Sequence, residues 1–171
     1  MSNRIPQRQH TVKSEADNFD DSAGIPPRTA EGDAFSALVV QIFRLNGLLL
    51  SAGDALAEPS GQTSARWRTL AAVEDAPMTV AQIARAWGLA RQSVQRVADV
   101  LVREGLAIYE ENPKHRRAQL LVLTPQGRSA LRTIQSAQRD WANALGAEIG
   151  EDHLRQASAI LSRVMRAVAK H

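Results

Sequence analysis

The chain has 171 residues, 44% of them apolar and 4% aromatic, and a formal net charge of +3. That length and apolar share suit one buried core, and few aromatics beside abundant Ala, Leu and Val favour helices over a β-sandwich or barrel. With no cysteine, disulfides, thiolate metal sites and thiol redox sensing are excluded.

Residues 1–33 carry Arg4, Arg8, Lys13 and Arg28 against six acids and are rich in Ser, Asp, Pro and Gln, the composition of a flexible arm. No apolar run follows Arg4 and Arg8, so no secretory signal is expected. From Asp33 onward Phe35, Leu38, Ile42, Leu45, Leu49 and Leu56 recur at helical spacing, which predicts a long amphipathic helix. Pro59-Ser60-Gly61 stops it. Its apolar run, 38–50, is short for a bilayer and is interrupted by Gln41, Arg44 and Asn46, so the expectation is a cytoplasmic protein without a membrane partner.

"SARWRTLAAVEDA" predicts a shorter helix with Trp67, Leu70, Ala71 and Val73 inward and its end at Pro77. In "MTVAQIARAWGL", Thr79 and Gln82 have capping-box spacing and Val80, Ile83, Ala84 and Trp87 share one face, closed by Gly88. "ARQSVQRVADVLVREGL" restarts a helix with Val94, Val97, Leu101 and Val102 inward and Gly105 as its stop. Two short helices joined by a Gly-containing turn make a helix-turn-helix.

The period then changes. "LAIYE" and "AQLLVLT" are β-prone runs separated by "ENPKHRR", whose Asn112-Pro113 is a turn former, so the pair predicts a hairpin. Thr124-Pro125 opens another helix. Its stripe runs Leu131, Ile134, Ala137, Trp141, Leu145 and Ile149, and a last helix after Gly150 carries Leu154, Ile160, Leu161, Val164, Met165 and Val168. Positive charge gathers in the middle: residues 85–117 hold Arg85, Arg91, Arg96, Arg103, Lys114, Arg116 and Arg117 against four acids.

This order of elements resembles the MarR family of bacterial transcription regulators over residues 34–170. The wing carries the resemblance: His115-Arg116-Arg117 stands where the family has Asp-x-Arg, followed by "AQLLVLT" with Leu123-Thr124 and then Gly127. Departures are His115 for the usual Asp, Asn112 where Asp is common, and Ala90 where Ser would cap better. The fold so implied is mainly α, a winged helix-turn-helix with long N- and C-terminal dimerisation helices. Its division would be an arm over 1–33, dimerisation helices over 34–60 and 125–171, and a DNA-binding lobe over 61–124.

Helical geometry with Val94, Val97 and Leu101 inward leaves Arg91, Gln92, Gln95, Arg96 and Asp99 toward solvent and Ser93 at the boundary. Arg and Gln are the residue types that reach guanine and adenine edges in a major groove, and Ser reaches base edges or phosphate. The resemblance adds Arg117 as a minor-groove contact, with Lys114, His115 and Arg116 near phosphates. It also implies a homodimer, for which Leu38, Ile42, Leu45, Leu161, Val164 and Val168 are interface candidates, internal packing being the rival explanation for each. A small aromatic or anionic effector is a further partner the family suggests, with Arg44, Asn46 and Trp67 as lining candidates and core packing or solvation as the alternative.

The four histidines are scattered without metal-ligand spacing, and neither a Gly-rich phosphate loop nor a nucleophile elbow occurs. The expectation is therefore no enzyme, no metal and no cofactor. What the resemblance implies instead is a ligand-responsive repressor that binds a pseudo-palindromic site on double-stranded DNA, with a winged-helix protein-interaction module as the alternative.

Overall fold

The computed structural model describes residues 27–113, 115 and 117–171. The arm expected over 1–33 lies mostly outside them, as do Lys114 and Arg116. The first helix, α1 (Ala30–Ala57), starts earlier than its apolar stripe, because the Thr29 hydroxyl accepts the Gly32 N–H at 3.1 Å and opens the helix before the first large side chain. The chain divides into two units within α1, after Gln41. The described part of the first, residues 27–41, is the helix start. The second, Ile42–His171, holds every other described element and the core.

A 3-10 turn, Glu58–Ser60, ends at Gly61, whose φ of 67° gives the left-handed stop. Together with α1 it makes a helical run, residues 30–60, whose most apolar window has mean hydropathy 1.5, long and apolar enough to cross a membrane. The sequence expectation fell short here because only Arg44 carries charge between Asp33 and Asp54. Helix α2 (Ser64–Ala72) is capped twice, by the Thr63 hydroxyl on the Arg66 N–H and by Asp54 Oδ1 on the Ser64 N–H at 2.6 Å. Gly53 permits this approach, since a Cβ there would lie 3.1 Å from that of Ser64.

A two-residue strand, β1 (Met78–Thr79), precedes α3 (Val80–Trp87). It is too short to show alternation, and the sequence signal at Thr79 was absorbed by the cap. The cap is present: Gln82 N–H donates to Thr79 Oγ1 at 3.2 Å and Thr79 N–H to Gln82 Oε1 at 2.8 Å. After Gly88 comes α4 (Arg91–Arg103), whose N-cap Ala90 makes no side-chain bond. Strands β2 (Ala107–Glu110) and β3 (Leu120–Leu123) then form the hairpin. The antiparallel sheet runs β1-β3-β2, with Met78 opposite Leu121 and Tyr109 opposite the same residue on the other side.

Helices α5 (Pro125–Ile149) and α6 (Glu151–Val168) close the chain. The core joins α2, α3, α4, the sheet and the start of α5 through Leu70, Ile83, Leu101, Leu121 and Leu131. Several positions differ from the sequence reading. Val97 and Val102 are half-buried while Ala98 is fully buried, because the small side chain lets α4 press closest there. Trp87 is 45% exposed although it lies on the apolar face of α3, since the helix ends at that turn and the ring projects past the core. Ile149 is exposed for a related reason: the α5 stripe is buried through Ile134 and then outruns the core.

One knot fixes the hairpin between α4 and α5. Leu106 N–H donates to Leu101 O at 2.9 Å, Thr124 N–H to Leu106 O at 3.2 Å, and the Thr124 hydroxyl to Gly105 O at 2.7 Å. The same hydroxyl accepts the Gly127 N–H at 3.1 Å. Gly127 sits so close that a Cβ would lie 1.9 Å from Leu106 O. Gly127→Ala is therefore expected to cost about 3 kcal/mol or more in urea unfolding, because the obstacle is backbone. Gly146→Ala, where a Cβ meets nothing within 4 Å, should instead stabilise by up to about 1 kcal/mol. Equal effects of the two substitutions would contradict this packing.

Candidate nucleic-acid interface

The first turns of α4 point Arg91, Gln92, Ser93 and Arg96 into solvent. Their exposure follows from burial of Val94, Ala98 and Leu101 on the opposite face. Arg96 reaches Ser93 Oγ only at 3.5 Å, a contact too long to hold the guanidinium. A surface groove of about 720 Å³ runs beside this face. It is lined by Arg85 from α3, Arg91 from α4, and His115 and Arg117 from the hairpin tip, among others. Within the tip, His115 N–H donates to Asn112 O at 3.1 Å and Ala118 N–H to His115 O at 3.0 Å, so the return of the loop is a hydrogen-bonded turn. The groove thus collects cationic residues from three separate elements, and Arg85 is one that the helix-by-helix sequence reading did not select. The signal available for it was its position in the last turn of α3.

Gln95 differs from its neighbours. Its Nε2 donates to Asp99 Oδ1 and to the Tyr109 hydroxyl, each at 2.8 Å, and that hydroxyl donates to the same Asp99 oxygen at 2.8 Å. The network ties α4 to β2. Sequence reasoning placed Gln95 and Asp99 toward solvent and had no reason to choose Tyr109, whose partners lie 10 and 14 residues away. Behind α4, Arg66 of α2 pairs with Glu104 and donates to Gly61 O at 3.2 Å. Burial, and then the nearby Arg103, lower the Arg66 pKa from its ordinary value.

A second concavity, about 350 Å³, lies between the C-terminal half of α1, α2, α5 and the end of α3. All three tryptophans of the chain, Trp67, Trp87 and Trp141, line it, with Asn46, Arg68 and Gln138 as polar members. Arg68 Nε is buried and has no hydrogen-bond partner among the described residues. Of the three expected lining residues, Asn46 and Trp67 border the cleft; Arg44 is not among its walls.

Exposed apolar side chains gather elsewhere, on α1 at Phe43, Leu45 and Leu48 and on α6 at Ile160, Leu161, Met165 and Val168. Val164 and Ile42 are half-buried, as is Leu38 in the first unit. No residue of α6 is buried. Among the described residues no group of three or more His, Asp or Glu side chains could hold a metal ion.

Comparison with known proteins gives these surfaces a context. Residues 60–118, from the turn before α2 to the hairpin tip, match the model of the MarR family. The chain belongs to the MarR family. An uncharacterized protein of Mycobacterium tuberculosis is 48% identical over 102 residues, which cover 60% of this chain and 71% of that protein. The M. tuberculosis transcriptional regulator MosR, solved in complex with DNA, is similar with a TM-score of 0.63 and 26% identity over 76% of this chain and 96% of that one. Staphylococcus aureus MarR, solved with salicylate and kanamycin, has the same fold, with a TM-score of 0.66 and 17% identity over 81% of this chain and 93% of that one. The family and fold are those of transcription regulators rather than enzymes, and the mainly helical winged architecture is that of its MarR neighbours.

The phenol network has a measurable signature. Burial first, and then the hydrogen bond and charge of Asp99, push the Tyr109 pKa from 10.0 up to about 12. A raised pKa means the neutral phenol is favoured by folding, so this contribution to stability is complete below pH ~10 and is lost as pH rises from ~10 to ~12. Tyr109 is the single tyrosine of the chain, so phenolate absorbance reports it alone. At pH 11 the native protein should be about one-tenth ionised, and Asp99→Asn substantially more so. Ionisation of about nine-tenths at that pH in the native protein would rule the network out.

Proposed function

We propose that this MarR-family chain is a transcription regulator that binds a pseudo-palindromic site on double-stranded DNA as a homodimer and acts as a ligand-responsive repressor in the cytoplasm. The observation that carries the reading is the groove in which Arg85, Arg91, His115 and Arg117 converge beside the exposed face of α4. A major groove about 12 Å wide admits one helix, and Arg85 and His115 would then face the flanking phosphates. Arg91, Gln92, Ser93 and Arg96 are the proposed base-edge residues and Arg117 the minor-groove residue. Lys114, His115 and Arg116 are proposed as phosphate contacts on sequence grounds. MosR, a similar structure solved in complex with DNA, supports DNA as the partner.

The homodimer reading rests on the apolar faces of α1 and α6. Ile42, Leu45, Leu161, Val164 and Val168 are the proposed interface, and Leu38 is proposed as a contact with the second copy in its own right. It assigns the apolar length of α1 to a partner chain and not to a bilayer. A dimer would hold two copies of α4 about one helical turn of DNA apart, roughly 10 to 10.5 base pairs.

The tryptophan-lined cleft supports an effector with an aromatic body and an anionic group. Trp rings offer flat apolar walls, and Arg68 contributes a cation to the lining. Asn46 and Trp67 are proposed lining residues. Salicylate, present in the S. aureus MarR structure, is a suitable probe.

The test is selection of bound sequences from random duplexes with the full chain, followed by variants on the selected site. Arg91→Ala or Arg96→Ala should each cost about 1 to 3 kcal/mol and relax preference at a particular base pair. Arg117→Ala should weaken binding most on A·T-rich flanks. Salicylate should quench tryptophan fluorescence and lower affinity for the site, and Arg68→Ala should blunt both effects. Selected sites without dyad symmetry, or a monomer at micromolar concentration, would refute the dimer. Absence of any duplex selectivity would favour a winged-helix protein-interaction module, and tryptophan emission unmoved by salicylate would remove the proposed effector chemistry.

A further inference from the structure

We infer that Gln95 reads a base pair as a hydrogen-bond acceptor only, because Tyr109 and Asp99 hold its amide nitrogen against the protein and leave its carbonyl oxygen facing out. The inference rests on the proposed DNA-binding reading and deepens it.

The orientation of the amide follows from the chemistry of its neighbours. Asp99 is a carboxylate, able only to accept, and the one proton of the Tyr109 hydroxyl goes to Asp99 Oδ1 at 2.8 Å. The phenol oxygen therefore faces Gln95 as a second acceptor. Both lie 2.8 Å from Gln95 Nε2. Turning the amide over would set its oxygen against two acceptors and leave the NH2 group without them. The raised Tyr109 pKa keeps the phenol protonated across the physiological range. Gln95 Oε1, in contrast, has no hydrogen-bond partner among the described residues and is not among the buried unpartnered atoms. It lies one helical turn from Arg91, on the part of α4 proposed to enter the groove.

A free glutamine reads adenine with two bonds, Oε1 accepting from the N6 amine and Nε2 donating to N7. Gln95 retains the first and has committed the second. What an outward carbonyl can recognise in a major groove is an exocyclic amine, on adenine N6 or cytosine N4. Guanine and thymine present O6, N7 or O4 there, all acceptors, and would set oxygen against oxygen. Gln95 thus separates amino bases from keto bases without separating adenine from cytosine. Tyr109, which touches no base, becomes a positioning residue for that selection.

The experiment uses the full chain and its selected duplex. Comparing sites selected by wild type and Gln95→Ala identifies the base pair that Gln95 governs. At that pair the wild type should accept adenine and cytosine about equally on one strand, and so thymine and guanine on the other. Removing the exocyclic amine of that adenine or cytosine should weaken binding about fivefold, the worth of one hydrogen bond. A 7-deaza purine in the same pair should change it less than about twofold, because no bond to N7 is made. Tyr109→Phe, with its fold checked by circular dichroism, loosens the amide and should make the 7-deaza substitution costly. A Gln95-governed preference for one kind of pair, A·T over C·G in the same orientation or the reverse, would overturn the inference. So would equal losses from amine removal and 7-deaza substitution in the wild type. If Arg96→Ala alters the selected sequence and Gln95→Ala alters none, the inference fails while DNA binding stands. Wild type that selects no sequence defeats the DNA-binding reading itself.

Discussion

Everything functional in this chain hangs from the approach of Gly127 to the carbonyl of Leu106. That carbonyl is the point where α4 ends, the hairpin begins and α5 starts, and it accepts from Thr124 while Gly127 packs against it with no room for a side chain. Thr124 adds a bond back to Gly105 and a cap on α5. Three elements are thereby fixed by backbone and one hydroxyl, not by long side chains that could change rotamer. Arg91 on α4 and Arg117 on the hairpin share a groove because this junction sets the angle between their elements. The tie from Tyr109 to Gln95 and Asp99 braces the same pair a second time, about a strand's length from the junction.

Away from that lobe the balance of forces changes. Burying a large apolar side chain contributes about 1.5 to 3 kcal/mol. Phe43 and Met165 are 70% and 65% exposed, and Leu48, Ile160 and Val168 are also open. Left uncovered, five such residues forgo an energy comparable with the whole stability of an ordinary domain, about 5 to 15 kcal/mol. The helices that carry them are long and regular, and the proposed dimer would cover their stripes. A second copy suits α6, whose apolar residues are interleaved with Arg155, Arg163 and Arg166; a bilayer would reject those charges at such spacing. The proposed dimer surface and the proposed DNA-binding surface thus differ in kind, apolar in one place and cationic in the other.

Much of the lobe was legible from residues alone, because its signals are local. Thr79 with Gln82, Gly88, and Thr124-Pro125 each announce a boundary within four residues, and the structure forms the cap, the left-handed turn and the helix start there. The change of period after Gly105 correctly gave the hairpin. What escaped depends on partners distant in sequence. Strand β1 is defined by pairing with Leu120 and Leu121 some forty residues later, and two residues carry no alternation of their own. Trp87 obeyed the helical stripe yet stands exposed, since periodicity says which face a residue shares and not where the core ends. Gln95 lay on the face expected to meet solvent, but its amide is held by a tyrosine from another element. The three tryptophans that border one cleft come from α2, α3 and α5, and no spacing rule links them.

The cationic surface around α4 and the hairpin is proposed to meet the phosphates of a duplex. Affinity of the full chain for its selected duplex, measured across a series of monovalent salt concentrations, decides this. Each neutralised phosphate contributes about −0.9 to the slope of log K against log salt, so a dimer using Arg85, Lys114 and Arg116 in each copy should show a slope steeper than about −4, reduced by Arg85→Ala and by Arg116→Ala. A slope near zero, or one unchanged by both substitutions, would contradict it.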